Sequence, residues 1–376
     1  MSCCNYDNSE ILMELDLTNE KHNNREKIMN EIKKIENNEE RNFNLSSNIY
    51  NNKYLSNLNQ HENNEKIFGL ENIGLTCYMN SFLQILFHCP KFMDEIEKHI
   101  CNNSEKIILY NFKQIIKNPE IIENLYNFKS SLDKISSDYS KVMQNDSQKF
   151  GIDLIDAIIS EIKNDKYSTT ESQLDSDSNS IINPKLNYQY YLEKYQYDLI
   201  ALEKIFTVNE YYIEEKNNKK KINFEHFLYI NLFFPTNDYH HLLQKFTLKE
   251  LLDLKYKNKK KRNRKICNFP DILIITINRA VIEKNTKYYT EVLEFPECLE
   301  LKEYADKDIT KYKNCNYILF GVNKKEGYSI NSGHYFSEVK INNIWYKFND
   351  SKVTTNICFD NESSEVVGLF YEKKII

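Results

Sequence analysis

The chain has 376 residues, enough for one large domain or two ordinary ones, and carries a formal net charge of −5 from 50 basic and 55 acidic residues. This mild imbalance argues against nucleic acid as the main partner. No stretch approaches the roughly 18 apolar residues of a membrane span, so we expect no membrane partner. Nine scattered cysteines, with no secretory signal before them, indicate reduced thiols in the cytoplasm or the nucleus.

Residues 1–65 are rich in Asn, Glu and Lys and poor in large apolar side chains. Such a segment buries too little surface to offset the entropy lost on ordering, so we expect a disordered or partly helical extension. Ile28, Ile32 and Ile35 form a partial helical stripe within it. A protein partner for this extension is therefore conceivable.

Helical patterns dominate from Phe68 to about residue 162. The segment Cys77–Cys89 places apolar side chains on one face, which predicts a helix, and Pro90 stops it. The polar segment Tyr167–Ser180 has no core-forming content and is typical of a linker. We therefore predict a helical region over 66–165.

Strand patterns dominate over 181–376, and we find no internal repeat. The predicted strands are Ile222–Phe234, Ile272–Ile277, Tyr288–Phe295, Tyr317–Val322, Tyr335–Ile341, Trp345–Phe348 and Val366–Tyr371. Helices followed by strands predict an α+β enzyme with a cleft between the two parts. The basic run Lys257–Lys265 is interpreted as a solvated loop rather than a nuclear-localisation patch.

Cys77 is a candidate nucleophile because it falls in the first turn of a predicted helix. Unpaired N–H groups and the positive end of the helix dipole favour a thiolate there, and the same groups stabilise an oxyanion. Asn72, five residues earlier, would add a side-chain amide to that oxyanion hole. The alternative is that Cys77 is a small buried apolar residue, as most free cysteines are. Glycines at 69 and 74 just before the helix favour the functional reading.

His334 is the best candidate base among eight histidines, because Ser332 and Gly333 precede it and a strand follows. Asn342 and Asn343 predict a two-residue hairpin turn, since Asn tolerates the left-handed conformation. Such a turn pairs Ile341 with Ile344 and fixes the register of the two strands.

That register selects the group that orients the imidazole. Asn349 becomes a diagonal neighbour of His334 on the same face, whereas Asp350 has the opposite parity. A register change of one residue would exchange the two. Asp350 could still assist by holding a water or a donor near the oxyanion.

Several segments resemble the ubiquitin-specific protease family. GLENIGLTCYMNSFLQILFH resembles its cysteine box, SGHYFSEVKINNIWYKFNDSKVT its histidine box, and QNDSQKF its Gln-Asp box. FPDILIITINR and FTLKELL also fit, so the resemblance covers residue 66 to the C-terminus. It implies a papain-like cysteine protease with a helical thumb (66–165) and an antiparallel palm and fingers (181–376), together a catalytic domain over 66–376.

The resemblance also implies roles for individual residues. Cys77, His334 and Asn349 would form the catalytic triad, and Asn72 would lie in the oxyanion hole. Asp146 and Gln148 would contact the ubiquitin tail, while Gly333 and Tyr335 would border the narrow channel that admits its two glycines. The expected partners are ubiquitin and ubiquitinated proteins.

Three departures from the family pattern stand out. The fingers of many relatives carry two Cys-x-x-Cys pairs that bind zinc, and this chain has no such pair, so we predict no structural zinc and no cofactor. Lys149 stands where Glu is usual, and Ala280 stands where Phe is usual after Arg279. Besides an active thiol-dependent deubiquitinase, these departures leave open an inactive scaffold that binds ubiquitin, or a protease for another ubiquitin-like modifier.

Overall fold

The computed structural model describes most of the chain beyond position 65. The described ranges are 66–101, 105–163, 184–195, 199–216, 219–235, 245–257, 264–282, 286–310, 314–327, 329 and 332–374. The predicted N-terminal extension, the linker Tyr167–Ser180 and positions 258–263 of the basic run lie outside the described residues.

Helices make up the first part of the described chain. They are α1 (Cys77–Phe87), α2 (Pro90–Lys98), α3 (Ile107–Lys117), α4 (Ile122–Ser131), α5 (Ser137–Ser140), α6 (Ser147–Lys163), α7 (Pro184–Tyr195) and α8 (Ala201–Phe206), with α9 (Leu248–Tyr256) and α10 (Lys307–Thr310) later in the chain. Pro90 occupies the first turn of α2, where its missing N–H costs nothing. No helix in the described ranges is long and apolar enough to cross a bilayer.

Strands dominate after α8. They are β1 (Val208–Lys216), β2 (Lys219–Phe227), β3 (Ile230–Phe233), β4 (Lys245–Thr247), β5 (Arg264–Ile266), β6 (Ile272–Asn278), β7 (Ala280–Ile282), β8 (Thr286–Tyr288), β9 (Val292–Glu294), β10 (Cys298–Glu300), β11 (Asn316–Glu326), β12 (His334–Ile341), β13 (Ile344–Asn349), β14 (Lys352–Thr355), β15 (Glu362–Ser363) and β16 (Val366–Lys373). The mixed helix-and-sheet architecture predicted from the sequence is confirmed.

The largest sheet has the order β14-β13-β12-β11-β16-β6-β3, with β10 paired to β11. All its neighbours are antiparallel except β3 and β6, which run parallel. Two smaller sheets have the orders β2-β1-β5 and β15-β9-β4, and β7 pairs with β8. The large sheet therefore carries both strands of the predicted histidine hairpin.

Helix α1 is enclosed between the other helices and this sheet, and residues 77–86 are all buried. Phe82 packs against Phe370 of the sheet with ring centroids 5.3 Å apart. A Cβ at Gly151 of α6 would overlap the Phe82 ring, so this glycine permits the close approach of α6 to α1. Packing on all sides holds the start of α1 in a fixed place relative to the sheet.

The small sheet β2-β1-β5 is tied by a buried carboxylate. The Glu210 side chain is fully buried and accepts a hydrogen bond from Tyr256. Lys255 and Arg264 lie 3.2 and 3.3 Å from its two oxygens, and Arg264 also pairs with Glu225 at 2.5 Å. This network links all three strands of the sheet to α9.

Two predicted strands were wrong in their extent. The segment Ile222–Phe234 divides into β2 and β3, which belong to different sheets, and Tyr288–Phe295 divides into β8 and β9. In each case an apolar run continues through a bend that no Gly or Pro marks. Helix α8 lies beyond the predicted helical region, yet its Leu202 and Phe206 join the apolar core around α1.

Candidate active site

Cys77 is the first residue of α1, and its side chain is a free thiol in a residue only 2% exposed. The loop before it is held by Asn72, whose Oδ1 accepts from the Gly74 and Thr76 N–H groups at 3.2 and 3.1 Å. Gly74 adopts φ +107°, which glycine takes without strain. The sulfur therefore sits at a helix N-terminus, where backbone N–H groups and the helix dipole favour negative charge.

His334 begins β12 and faces the sulfur. The hydrogen bond between the imidazole and Cys77 raises the pKa of His334 to about 9; partial burial opposes this shift and the hydrogen bond with Asn349 adds to it. Asn349 Oδ1 accepts from His334 Nε2 at 2.6 Å, which leaves Nδ1 for the sulfur. A protonated imidazole beside a thiolate is the activated form of a cysteine–histidine pair.

The hairpin register predicted from the sequence is confirmed. Ile341 pairs with Ile344 and Ser337 pairs with Phe348. Asn342 and Asn343 take φ +49° and +64°, the left-handed values that a two-residue hairpin turn requires. This register brings Asn349 to His334.

Asp350 faces the other side of the site. Its Oδ2 accepts from Asn72 Nδ2 at 2.9 Å, and its Oδ1 accepts from Asn80 Nδ2 at 2.8 Å. The second N–H of the Asn72 amide is directed away from this carboxylate. Asp350 thus holds the Asn72 amide in place, and the oxyanion role of Asn72 stays a prediction.

A cleft of about 1030 Å³ is lined by Leu75 and Tyr335, chain neighbours of Cys77 and His334, although neither Cys77 nor His334 itself lines it. Asp146, Gln148 and Tyr335, each predicted to contact substrate, line it together with Lys325. Desolvation by the surrounding protein raises the pKa of the Asp146 carboxyl although the residue is exposed, while its hydrogen bonds to the α6 N-terminus and the charge of Lys325 oppose that shift.

Two of these wall residues offer polar groups to a ligand. The Gln148 Nε2 is buried and has no hydrogen-bond partner among the described residues. Tyr335 is 4% exposed, so only part of its ring reaches the cleft. An amide donor and a carboxylate in one cleft suit an extended peptide, whose backbone alternates N–H and C=O groups.

Gly333 is not among the residues that line this cleft, and its substrate-binding role stays a prediction. Its carbonyl accepts from Gln144 Nε2, and its φ is +150°. A Cβ there would approach Lys325 Cε to 2.6 Å and Glu326 O to 2.7 Å. Gly333 is therefore required for close packing of the turn into His334.

Sequence reasoning missed Asn80 and Lys325. Asn80 and Gln84 are polar side chains one turn apart in a helix that is otherwise largely apolar, which is the signal that could have identified Asn80. Lys325 is 7% exposed, and burial lowers the pKa of its ammonium while Asp146 and Cys77 oppose that shift. Its position opposite Tyr335 follows from strand register alone.

The two unusual residues lie at the cleft. Lys149 pairs with Asp153 at 2.5 Å, and its side chain is 71% exposed. Ala280 is partly buried in the wall, and the neighbouring Arg279 is buried and donates to the carbonyls of Val366 and Glu291. Arg279 therefore joins two segments of the chain. The exposed Lys149 side chain, in contrast, is accessible to a protein that docks at the cleft.

No group of three or more His, Cys, Asp or Glu side chains within the described ranges is arranged to hold a metal ion. Cys267 is buried among apolar side chains of β1 and β2, and Cys298 is exposed on β10. The absence of a structural zinc remains a prediction.

Comparison with known proteins identifies the family. The family description "Ubiquitin carboxyl-terminal hydrolase" matches residues 68–371. The chain belongs to this family. Its members with similar sequences include ubiquitin carboxyl-terminal hydrolase Usp2 of Drosophila melanogaster, 24% identical over 343 residues, and ubiquitin carboxyl-terminal hydrolase 4 of Arabidopsis thaliana, 26% identical over 325 residues.

The matched share differs between these relatives. The alignment covers 83% of this chain but 35% of the Drosophila protein, and 77% of this chain but 85% of the Arabidopsis protein. Among solved structures, the SAGA Ubp8/Sgf11/Sus1/Sgf73 DUB module bound to ubiquitin aldehyde matches with a TM-score of 0.62 at 21% identity, over 82% of this chain and 70% of that chain. This likeness establishes a shared fold.

Proposed function

We propose that the protein is a thiol-dependent deubiquitinase that hydrolyses the bond after the C-terminal glycine of ubiquitin in conjugates or precursors. The observation that carries this proposal is the hydrogen-bonded series Cys77–His334–Asn349 at the start of α1. Family membership over residues 68–371 supports the same reaction and substrate.

The proposed reaction follows from the positions of the groups. The Cys77 thiolate attacks the carbonyl carbon of the last ubiquitin residue, and the oxyanion accepts from the Asn72 amide and the helix N-terminus. The His334 imidazolium gives its proton to the leaving amine, which leaves a thioester on Cys77. Neutral His334 then takes a proton from water, which attacks the thioester and releases ubiquitin with a free carboxylate.

The cleft supports ubiquitin as the substrate. Asp146, Gln148 and Tyr335 all line the cleft and would bind an extended tail that ends at Cys77. A solved structure with the same fold is described as bound to ubiquitin aldehyde, which supports ubiquitin as the substrate class. We also propose that the protein acts in the cytoplasm or the nucleus. The seven cysteines of the described ranges are all free thiols, which supports a reducing compartment.

A protease for another ubiquitin-like modifier is the second candidate, because Lys149 reverses a charge at the cleft. Its pairing with Asp153 offsets part of that reversal, so we favour ubiquitin. The hydrogen-bonded cysteine, histidine and asparagine argue against an inactive scaffold.

Hydrolysis of ubiquitin-aminocoumarin and of parallel modifier-aminocoumarin conjugates tests the proposal. We expect turnover of the ubiquitin conjugate by the wild type and none by Cys77→Ala. Turnover of a different modifier alone would favour the second candidate, and turnover of none would overturn the proposal.

A further inference from the structure

Asn80 is a buried polar side chain on α1, one turn after Cys77, and is 2% exposed. Its Nδ2 donates to Asp350 Oδ1 at 2.8 Å and lies 3.1 Å from the Glu71 carbonyl and 3.3 Å from that of Leu70. Three acceptors around one atom identify it as the amide nitrogen. Asn80 therefore joins the helix of Cys77 to both the loop before it and the turn after β13.

Asp350 carries this connection to the oxyanion side of the site. With Oδ1 bound by Asn80 and Oδ2 bound by Asn72, the carboxylate is held at both oxygens. The Asn72 amide is fixed at its other end by the Gly74 and Thr76 N–H groups. The remaining N–H of the Asn72 amide therefore keeps one orientation as long as the Asp350 carboxylate does not rotate.

The Asn80 amide is not the most stabilising choice for this position. Its Oδ1 is buried and has no hydrogen-bond partner among the described residues. A buried unsatisfied polar atom is unfavourable, and the neighbouring positions of α1 are filled by apolar side chains such as Met79 and Phe82. The hydrogen bonds that Nδ2 donates, rather than packing in the apolar core, therefore explain why an asparagine occupies position 80.

We infer that Asn80 is a positioning residue for the oxyanion donor, acting through Asp350 to orient the Asn72 amide. The inference rests on the hydrolysis proposed above. The hydrogen bonds of Asn80 within the described residues go to Leu70, Glu71 and Asp350, whereas the His334 imidazole is held separately by Asn349. The site then has two independent supports, one for the base and one for the oxyanion donor.

A double-mutant cycle tests the inference with ubiquitin-aminocoumarin. Removing one oxyanion donor lowers kcat by about 100- to 1000-fold, so we expect Asn72→Ala in that range and Asn80→Ala to lose at least about tenfold, with KM within about twofold. In the Asn72→Ala background, Asn80→Ala should cost less than about threefold, because the group it orients is gone. The full Asn80→Ala loss in that background would overturn the inference.

Gln84 provides the matched control. It lies one turn further along α1, is buried, and its Nε2 donates to the Phe68 carbonyl at 2.7 Å, so it holds the same incoming segment without touching Asp350. Whatever loss Gln84→Ala causes should persist in full in the Asn72→Ala background. If Asn80→Ala combines with Asn72→Ala in the same multiplicative way, Asn80 is merely structural.

Alkylation of Cys77 by iodoacetamide separates the two supports. We expect wild-type rates and pH dependence in Asn80→Ala, since Asn349 still holds His334; a fall of more than about threefold would overturn the inference. If Asn80→Ala unfolds, Asn80→Asp replaces it, because this variant keeps the side-chain volume and turns a carboxylate towards Asp350. We expect the same loss of kcat, the same dependence on Asn72 and the same unchanged alkylation rate. An inactive wild type refutes the proposed function, whereas an active wild type with a multiplicative cycle refutes only this inference.

Discussion

Asn349 and Asp350 are adjacent in sequence, yet their side chains bind different residues of the candidate site. Asn349 Oδ1 lies 2.6 Å from His334 Nε2, while Asp350 Oδ2 accepts from Asn72 at 2.9 Å. The division arises because β13 ends at Asn349 and Asp350 turns into the left-handed region at φ +49°. One short turn therefore holds both the proposed base, His334, and the proposed oxyanion donor, Asn72.

Replacing Asn349 should shift the pH dependence of the reaction. The hydrogen bonds of His334 to Cys77 and Asn349 raise its pKa to about 9, so the activated pair persists until the pH rises through that value. In Asn349→Ala one of these bonds is lost, and we expect the alkaline limb of kcat/KM to move to lower pH while kcat falls by about 10- to 100-fold. An unchanged alkaline limb in a folded variant would contradict this role for Asn349.

The raised pKa of His334 also fixes how this residue contributes to the unfolding free energy as the pH changes. The pKa of His334 in the folded protein exceeds the ordinary value of 6.5, so its contribution is complete below that pH and is lost as the pH rises through about 9. The difference in unfolding free energy between wild type and Asn349→Ala should therefore shrink between these limits. Urea unfolding across this pH range measures it.

Gly69→Ala should disturb the site through the backbone. A Cβ at Gly69 would overlap the backbone of Ser351, the residue after Asp350, and a rigid backbone cannot yield as a flexible side chain can. We expect a loss of about 1–3 kcal/mol in unfolding free energy, together with lower kcat. Gly368→Ala is the control, since its nearest contacts are ordinary at 3.4 Å or more, and it should be near neutral in urea unfolding.

The buried Glu210 should be a main support of the sheet β2-β1-β5. Removing it leaves Lys255, Arg264 and Tyr256 without the carboxylate they share, and breaking such buried networks costs about 3–5 kcal/mol. We expect Glu210→Ala to lose that much in urea unfolding. Glu214→Ala, at a partly exposed position on the same strand, should lose less than about 1 kcal/mol, and a similar small loss at Glu210 would refute the network's importance.

Metal removal should leave the protein unchanged. The sheet β2-β1-β5 is tied by the Glu210–Arg264–Glu225 network, and no metal-holding cluster occurs in the described ranges. We therefore expect equal Tm and equal hydrolysis with and without EDTA. A Tm decrease on chelation that zinc restores would show that a structural metal is present after all.

Lys149→Glu should strengthen ubiquitin binding if basic residues of ubiquitin dock at this rim. Lys149 itself is 71% exposed, and the hydroxyl of Tyr139 also donates to Asp153, so the fold should tolerate the change. We expect KM for ubiquitin-aminocoumarin to fall about threefold or more with kcat unchanged, as for a group that contributes uniform binding. Lys98→Glu is the control, because Lys98 is also an exposed, paired lysine but does not line the cleft. A higher KM for ubiquitin-aminocoumarin in Lys149→Glu would favour a different modifier as the substrate.

The parts of the site that depend on local pattern could be predicted from the sequence. The helix beginning at Cys77 follows from its apolar periodicity, and the hairpin register follows from Asn342 and Asn343. Because side chains alternate along paired strands, that register was enough to select Asn349 as the partner of His334.

Other parts depend on long-range geometry and could not be predicted. Strand parity does not apply to Asp350, because its positive φ takes it out of the strand. Asn80 carries no local signal for a partner 270 positions away in the chain. The bend between β2 and β3 likewise reflects pairing with different sheets rather than a turn residue.

Labelling with ubiquitin that carries a C-terminal propargylamide tests the central claim most directly, with the adduct located by peptide mass spectrometry. We predict one ubiquitin per chain, attached to Cys77, absent in Cys77→Ala and strongly reduced in His334→Ala. A folded wild-type protein whose Cys77 stays unmodified, or a label on another cysteine that persists in Cys77→Ala, would contradict it.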